Sequence, residues 1–270
     1  MINDQPRDVI LETKNLSKYF GGLRAVDNVS LKITQGGLKS IIGPNGAGKT
    51  TLLNLLSGIY EPTSGDIFYH EEKITGLPAH RRAHIGIGRS YQITNIFPTL
   101  TVLENIRIAA QALGKDNFKL IADHTNFPSY TEKAVETLEI IGLLDRVGTL
   151  ASALNHGDKR RLEIGMLLAQ QLDLLLLDEP TAGLGTDQVP EFMEIIKSIA
   201  HDTQKTVVLV EHNMNVVMNL SNRIIVMHQG KMLAEGTPSE IASNEVVQQA
   251  YLGGLYEDFN QVGTVRTKDG

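Results

Sequence analysis

The sequence predicts an α/β fold, a mixed core interrupted by a block of helices. Three observations carry this. An apolar run ending at Ile42 enters a glycine-rich turn, and leucines at helical spacing follow it. From about residue 100 to 171 apolar residues recur at i, i+3, i+4 spacing, the mark of helices with one buried face. Beyond residue 174, strand-length apolar runs again alternate with helical segments, which is the pattern of a parallel sheet with crossover helices.

The elements follow in order. Residues 8–34 read as short strands with turns, broken at Gly21 and Gly22. Residues 39–42 form a short strand, 50–60 a helix ending near Gly58, and 67–69 another strand. Helices are expected over 102–113, 131–144 and 158–171, with a loop between Gly114 and Tyr130. Then come a strand at 174–177, a helix at about 188–201, a strand at 207–210, a helix at about 213–220 and a strand at 223–227. Gln229 and Gly230 form a hairpin turn into residues 231–234. Thr237 and Pro238 are a good N-cap and first-turn pair for a final helix over about 238–252. The polar residues 254–270 are expected to be mobile.

Composition bounds the function. The chain has 270 residues and a formal net charge of -6, with 41% hydrophobic residues and no cysteine. That length supports one large domain with a substantial core. Without cysteine there is no disulfide framework, thiolate zinc site or cysteine nucleophile. The mild acidity argues against a general nucleic-acid binder, which carries a basic surplus. No run approaches the roughly 18 apolar residues of a spanning helix, and the first ten residues lack the pattern of a secretion signal. A cytoplasmic location is expected.

The chemistry sits at strand ends. GPNGAGKTT, residues 43–51, satisfies the phosphate-loop pattern. Gly43, Gly46 and Gly48 let backbone N–H groups converge on phosphate oxygens where side chains would obstruct them. Pro44, Asn45, Ala47 and Thr51 complete the loop. Lys49 is placed to reach the terminal phosphates, and the Thr50 hydroxyl to ligate Mg²⁺. LLLLDEP, residues 174–180, reads as a buried parallel strand ending in two acids. Ligands bind at the carboxyl ends of such strands. Asp178 is therefore placed near the Mg²⁺ ion and Glu179 near an attacking water. VVLVEHN, residues 207–213, repeats the pattern and sets His212 at a third strand end.

These motifs, in this order, resemble the ATP-binding subunits of ABC transporters. The resemblance spans about residues 8–253. KYFGGLRAV, SYQITNIFPTLTVLENI, RRLEIG, HQGKMLAEGTP and VQQAYLGG resemble one branch, which serves uptake of branched-chain amino acids or of urea and short amides. The resemblance implies a P-loop NTPase core of RecA type with an antiparallel β subdomain. It also implies a helical subdomain over about 95–170, all within one domain over 1–253. It makes Phe20 the adenine-stacking aromatic, Glu179 the general base and His212 the switch histidine. Gln92 becomes a contact to Mg²⁺ or the attacking water. Asn155 and Gly157 become the signature loop that meets the ATP of a second cassette. ATP and Mg²⁺ are the implied cofactors. The implied partners are a second cassette, identical or paralogous, membrane permease subunits and, indirectly, a solute-binding protein. Nucleic acid is not among them, and the subunit sits peripherally on the inner membrane face.

Some positions depart from the family pattern. The signature loop reads Leu154-Asn155-His156-Gly157-Asp158, with Asn155 where serine is usual and Asp158 where glutamine is usual. Asp158 sets a carboxylate near polyphosphate unless Lys159 or Arg160 screens it. Gly185 stands where many relatives carry aspartate. The alternatives are a catalytically weak nucleotide-dependent subunit of the same complex, or a non-transport ABC ATPase.

Overall fold

The alternating residues near the N-terminus form two long strands rather than several short ones. The computed structural model describes residues 8–90, 96–112, 114, 128–202 and 205–251. In it β1 (Val9–Phe20) and β2 (Leu23–Thr34) pair antiparallel across Gly21 and Gly22. Register shifts between Val9 and Leu11 and between Thr13 and Leu16 absorb the breaks in alternation without ending the ladder. β3 (Gly37–Ile42) and α1 (Lys49–Leu56) flank the phosphate loop. β4 (Ser64–Tyr69) and β5 (Glu72–Lys73) complete an antiparallel sheet of order β2-β1-β4-β5.

α2 (Ala79–His84) and β6 (Ile87–Arg89) are too short to show a period in the sequence. The helical block follows as α3 (Val102–Ala112), α4 (Pro128–Ile140) and α5 (His156–Ala169). Then come β7 (Leu174–Asp178), α6 (Val189–Asp202), β8 (Thr206–Val210), α7 (Met214–Leu220), β9 (Arg223–His228) and β10 (Lys231–Gly236). The last helical stretch is two helices, α8 (Pro238–Ala242) and α9 (Glu245–Tyr251). Thr237 and Glu240 close a capping box on α8, and the Asn244 side chain accepts from Val246 and Val247 N–H, so a new N-cap divides the segment. The 254–270 tail lies outside the described residues, as does most of the 114–130 loop.

The second sheet has order β10-β9-β3-β8-β7-β6, parallel except for β10. β3, β7 and β8 are buried at every residue, which is why they read as continuous apolar runs. Period two still divides them. Leu175, Leu177, Val207 and Leu209 pack with the helical block. Leu174, Leu176, Val208 and Val210 pack with α1 and the antiparallel sheet.

α1 stops at Leu56, just short of the expected end near Gly58. Gly58 turns left-handed (φ 78°), and the guanidinium of Arg82 fills the space beside it. Arg82 donates to the carbonyls of Leu55 and Leu56, capping the helix end, and to those of Ile74, Thr75 and Leu77. It is fully buried, and burial pulls its pKa down to about 10. Arg82→Met keeps much of the volume but strands several buried carbonyls. It should cost about 2–4 kcal/mol, read as a lowered midpoint in urea unfolding. An unchanged midpoint would refute the cap.

Candidate functional site

β8 lies between β3 and β7, so three strand ends meet at one edge of the sheet. The loop leaving β3 is pinned from two sides. Gly230 N–H donates to the Ala47 carbonyl at 3.0 Å, and Asp27 N–H donates to the Gly230 carbonyl at 2.8 Å. Gly48 has φ 98°, and a Cβ there would stand 2.2 Å from the Ala25 carbonyl oxygen. Only glycine fits so close an approach in that conformation. Gly48 is also the N-cap of α1, with no side-chain cap, so the first N–H groups of the helix are left to an anion.

A cavity of about 500 Å³ opens over this loop. Asn45 to Thr51 line it with Leu23, Arg24, Ala25, Glu179, His212 and Gln229. The structure thus brings Lys49, Thr50, Thr51, Glu179 and His212 together as expected. Lys49 is buried, and its ammonium donates to the carbonyls of Gly43 (2.7 Å) and Pro44 (3.1 Å). Burial lowers its pKa, while the nearby charges of Glu179 and Asp178 oppose the shift.

Asp178 is 1% exposed. Its Oδ2 accepts from Arg89 Nη2 at 2.9 Å, and its backbone N–H donates to Ser90 Oγ. Its Oδ1 is buried without a hydrogen-bond partner, an arrangement that costs free energy unless a ligand completes it. Burial raises the Asp178 pKa, and Arg89 opposes that rise. Arg89 also donates to Asn54 and Ser57. Neither Arg89 nor Ser90 was singled out from the sequence. The one signal was a cation at the end of a short apolar strand.

Glu179 and His212 touch: Nε2 of the ring lies 2.6 Å from Oε1 of the carboxylate. Glu179 adopts φ 47°, the left-handed region that costs a non-glycine residue about 1–3 kcal/mol. The chain turns sharply there, taking the following loop away from the strand direction. Gln92 lies outside the described residues.

Several expected residues lie apart from the cavity. Phe20 is not in its lining; the ring packs edge to face on Tyr60 at 5.5 Å, with the Lys18 ammonium over both rings. Asn155 and Gly157 are also not in that lining. Asn155 is the N-cap of α5, accepting from Asp158 N–H at 2.8 Å. Its amide donates to the Asp158 carboxylate at 2.9 Å. Arg160 Nη1 bonds Glu163 at 2.9 Å on the buried side of the helix. His156 lies against Gly183, and the Gln188 amide lies against Gly157. The signature loop is thus packed on the loop that follows Glu179.

The residues present fit a hard divalent cation. The Asp178 carboxylate and the Thr50 hydroxyl supply oxygen donors. Among the described residues no group of three His, Asp or Glu could hold a metal alone. An ion such as Mg²⁺ is commonly held by one or two protein oxygens together with substrate phosphates.

Comparison with known proteins agrees with this fold. The family model described as ABC transporter matches residues 26–182. The model described as branched-chain amino acid ATP-binding cassette transporter matches residues 231–256. The high-affinity branched-chain amino acid transport ATP-binding protein LivG of Salmonella typhimurium is 41% identical over 251 residues, covering 90% of this chain and 98% of its own. The ADP conformation of MJ1267, an ATP-binding cassette of an ABC transporter, superposes with TM-score 0.80 at 29% identity, over 91% of this chain and 99% of that one. A dimeric post-hydrolysis state of the cassette MJ0796, bound to ADP and Pi, gives TM-score 0.71 at 28% identity, over 84% and 98%.

The buried lysine makes a pH prediction. In the free protein burial holds the Lys49 pKa below the ordinary 10.5, and a bound polyphosphate raises it again. Binding therefore takes up a proton once pH exceeds the free-state pKa. ATP affinity should be flat near neutrality, then fall by up to about tenfold per pH unit, starting below 10.5. Lys49→Arg, which stays protonated, should remove that alkaline fall. Equilibrium ATP titrations from pH 7 to 10.5 check this, and equal pH profiles for the two proteins would refute it.

Proposed function

This chain belongs to the ABC transporter family, and we propose that it is the ATP-hydrolysing subunit of an importer for branched-chain amino acids. The observation that carries the catalytic part is the contact between Glu179 and His212 over a phosphate loop with a buried lysine. The solute class rests on LivG and on the match at residues 231–256. Urea or short amides are the neighbouring possibility within the same branch. Among the described residues no helix is long and apolar enough to cross a membrane. The transport role printed for LivG supports the reading that the subunit works on permease partners at the inner membrane face.

The loop N–H groups of residues 43–51 and the dipole of α1 hold the phosphates. Lys49 exchanges its two loop carbonyls for phosphate oxygens. Thr50 and Asp178 would hold Mg²⁺, with Gln92 as a further contact. When bound, the ion supplies charge neutralisation of the terminal phosphates. Glu179 orients the attacking water and accepts its proton. His212, tied to Glu179 in this structure, is assigned to donate to the γ-phosphate while keeping the carboxylate aimed. Phe20, beside Tyr60, offers a ring face for adenine, a contact of about 1–3 kcal/mol.

Asn155 and Gly157 cannot serve the cavity of their own chain from where they stand, which supports a second cassette completing the site. The dimeric state of MJ0796 supports the same reading. A cleft of about 710 Å³ runs between α2 and α5, past Arg89 and Ser90. We assign the permease contact to it.

Glu179→Gln keeps the shape of the carboxylate and removes its basicity. Turnover should fall at least about 10²-fold, while ATP affinity stays within about threefold. Phosphate release and nucleotide titration on the full chain measure the two quantities. Normal turnover would overturn the role of Glu179.

A further inference from the structure

Glu211 precedes His212 and is 3% exposed. Its side chain is not in the lining of the phosphate cavity. Its two carboxylate oxygens serve different loops. Oε1 accepts from the backbone N–H of Thr181 at 3.1 Å and from the Thr181 hydroxyl. Oε2 accepts from the backbone N–H of His212 at 3.1 Å and of Asn213 at 3.4 Å. Thr181 stands two residues after Glu179, on the loop leaving β7. His212 and Asn213 stand on the loop leaving β8, and Asn213 is the N-cap of α7. One buried carboxylate thus joins the loop that carries Glu179 to the loop that carries His212, beneath the point where those side chains meet at 2.6 Å.

The turn that Glu211 bridges is itself constrained. Glu179 is held at φ 47°, a conformation that persists only where its surroundings over-determine it. Its N–H is bonded to the Val210 carbonyl at 2.9 Å, and its carbonyl accepts from Ala182 N–H at 3.0 Å. The backbone bonds fix where the turn starts, and Glu211 fixes where it goes next. All four donors to Glu211 come from uncharged groups on the two loops, so the carboxylate spends its full acceptor capacity on them.

We propose that Glu211 is a positioning residue for ATP hydrolysis, bridging the two loops so that Glu179 and His212 stay in register with the phosphate loop. This rests on the roles given to those two residues above. Glutamine cannot replace the carboxylate. Its single oxygen can serve the two N–H groups of His212 and Asn213, but its NH₂ then faces Thr181 N–H, and the loop bearing Glu179 is released. A shift of about 1 Å at a reacting group can cost 10²-fold.

The test is steady-state ATP hydrolysis by the full chain with Mg²⁺, for Glu211→Gln, His212→Ala and the double variant, with Thr181→Val and Thr181→Ser beside them. Glu211→Gln should lower kcat about tenfold or more, with KM for ATP within about twofold, because the phosphate loop is untouched. The double variant should be slower than His212→Ala by clearly less than the loss in Glu211→Gln alone, since the bridge acts in part through the residue already removed. Thr181→Val should lower kcat, and Thr181→Ser, which keeps the hydroxyl, should retain it. A normal rate in Glu211→Gln alongside a slow His212→Ala overturns the bridge alone. So does a fully multiplicative loss in the double variant, or a loss confined to KM. A normal rate in His212→Ala contradicts the site reading itself and takes the bridge with it. If Glu211→Gln does not fold, the Thr181 pair decides: equal rates for valine and serine overturn the bridge.

Discussion

One constraint organises this molecule: β8 lies between β3 and β7, and all three run parallel. Their carboxyl ends therefore emerge side by side. Lys49 and Asp178 are 129 residues apart along the chain, and His212 lies 33 residues beyond Glu179, yet Lys49, Glu179 and His212 share one cavity edge. Nothing local in any of the three segments brings them together. The apolar strands do it by burying both faces, one against the helical block and the other against α1 and the antiparallel sheet.

That placement concentrates charge where burial makes charge expensive. Asp178 is stabilised by Arg89 on one oxygen and left unsatisfied on the other. Lys49 is buried against two carbonyls of its own loop. Glu179 sits in a left-handed backbone conformation. Each is a local cost that core packing elsewhere must offset, and each is relieved or used when an anion and its counter-ion arrive. Such sites commonly trade stability for activity. Arg82 shows the opposite case: a buried cation whose five carbonyl partners are all structural.

Much of this was legible in the sequence, and the reasons differ by residue. Fully buried strands such as residues 174–178 announce themselves as apolar runs. The phosphate loop carries its own spacing. The cap that Asn155 places on α5 is of the legible kind, because capping depends on a few adjacent residues. Arg82, Arg89 and Glu211 were not readable, because their partners lie far off in the chain or across loops. A buried ion is defined by what surrounds it, and one sequence does not list its surroundings. The Phe20–Tyr60 pair was missed for the same reason. Arg160 and Glu163 share a helix face and pair, whereas residues two apart, such as Asp158 and Arg160, face different ways.

The central claim is that the unsatisfied Asp178 oxygen and the exposed Thr50 hydroxyl complete a site for a cation-bound polyphosphate. Calorimetric titration of the full chain with ATP, with and without Mg²⁺, compares the native protein with Asp178→Asn most directly. The account predicts that Mg²⁺ tightens ATP binding in the native chain by about tenfold or more, on the scale of a direct contribution to metal affinity. In Asp178→Asn most of that gain should vanish while binding of metal-free ATP persists. An equal gain from Mg²⁺ in both proteins would contradict it.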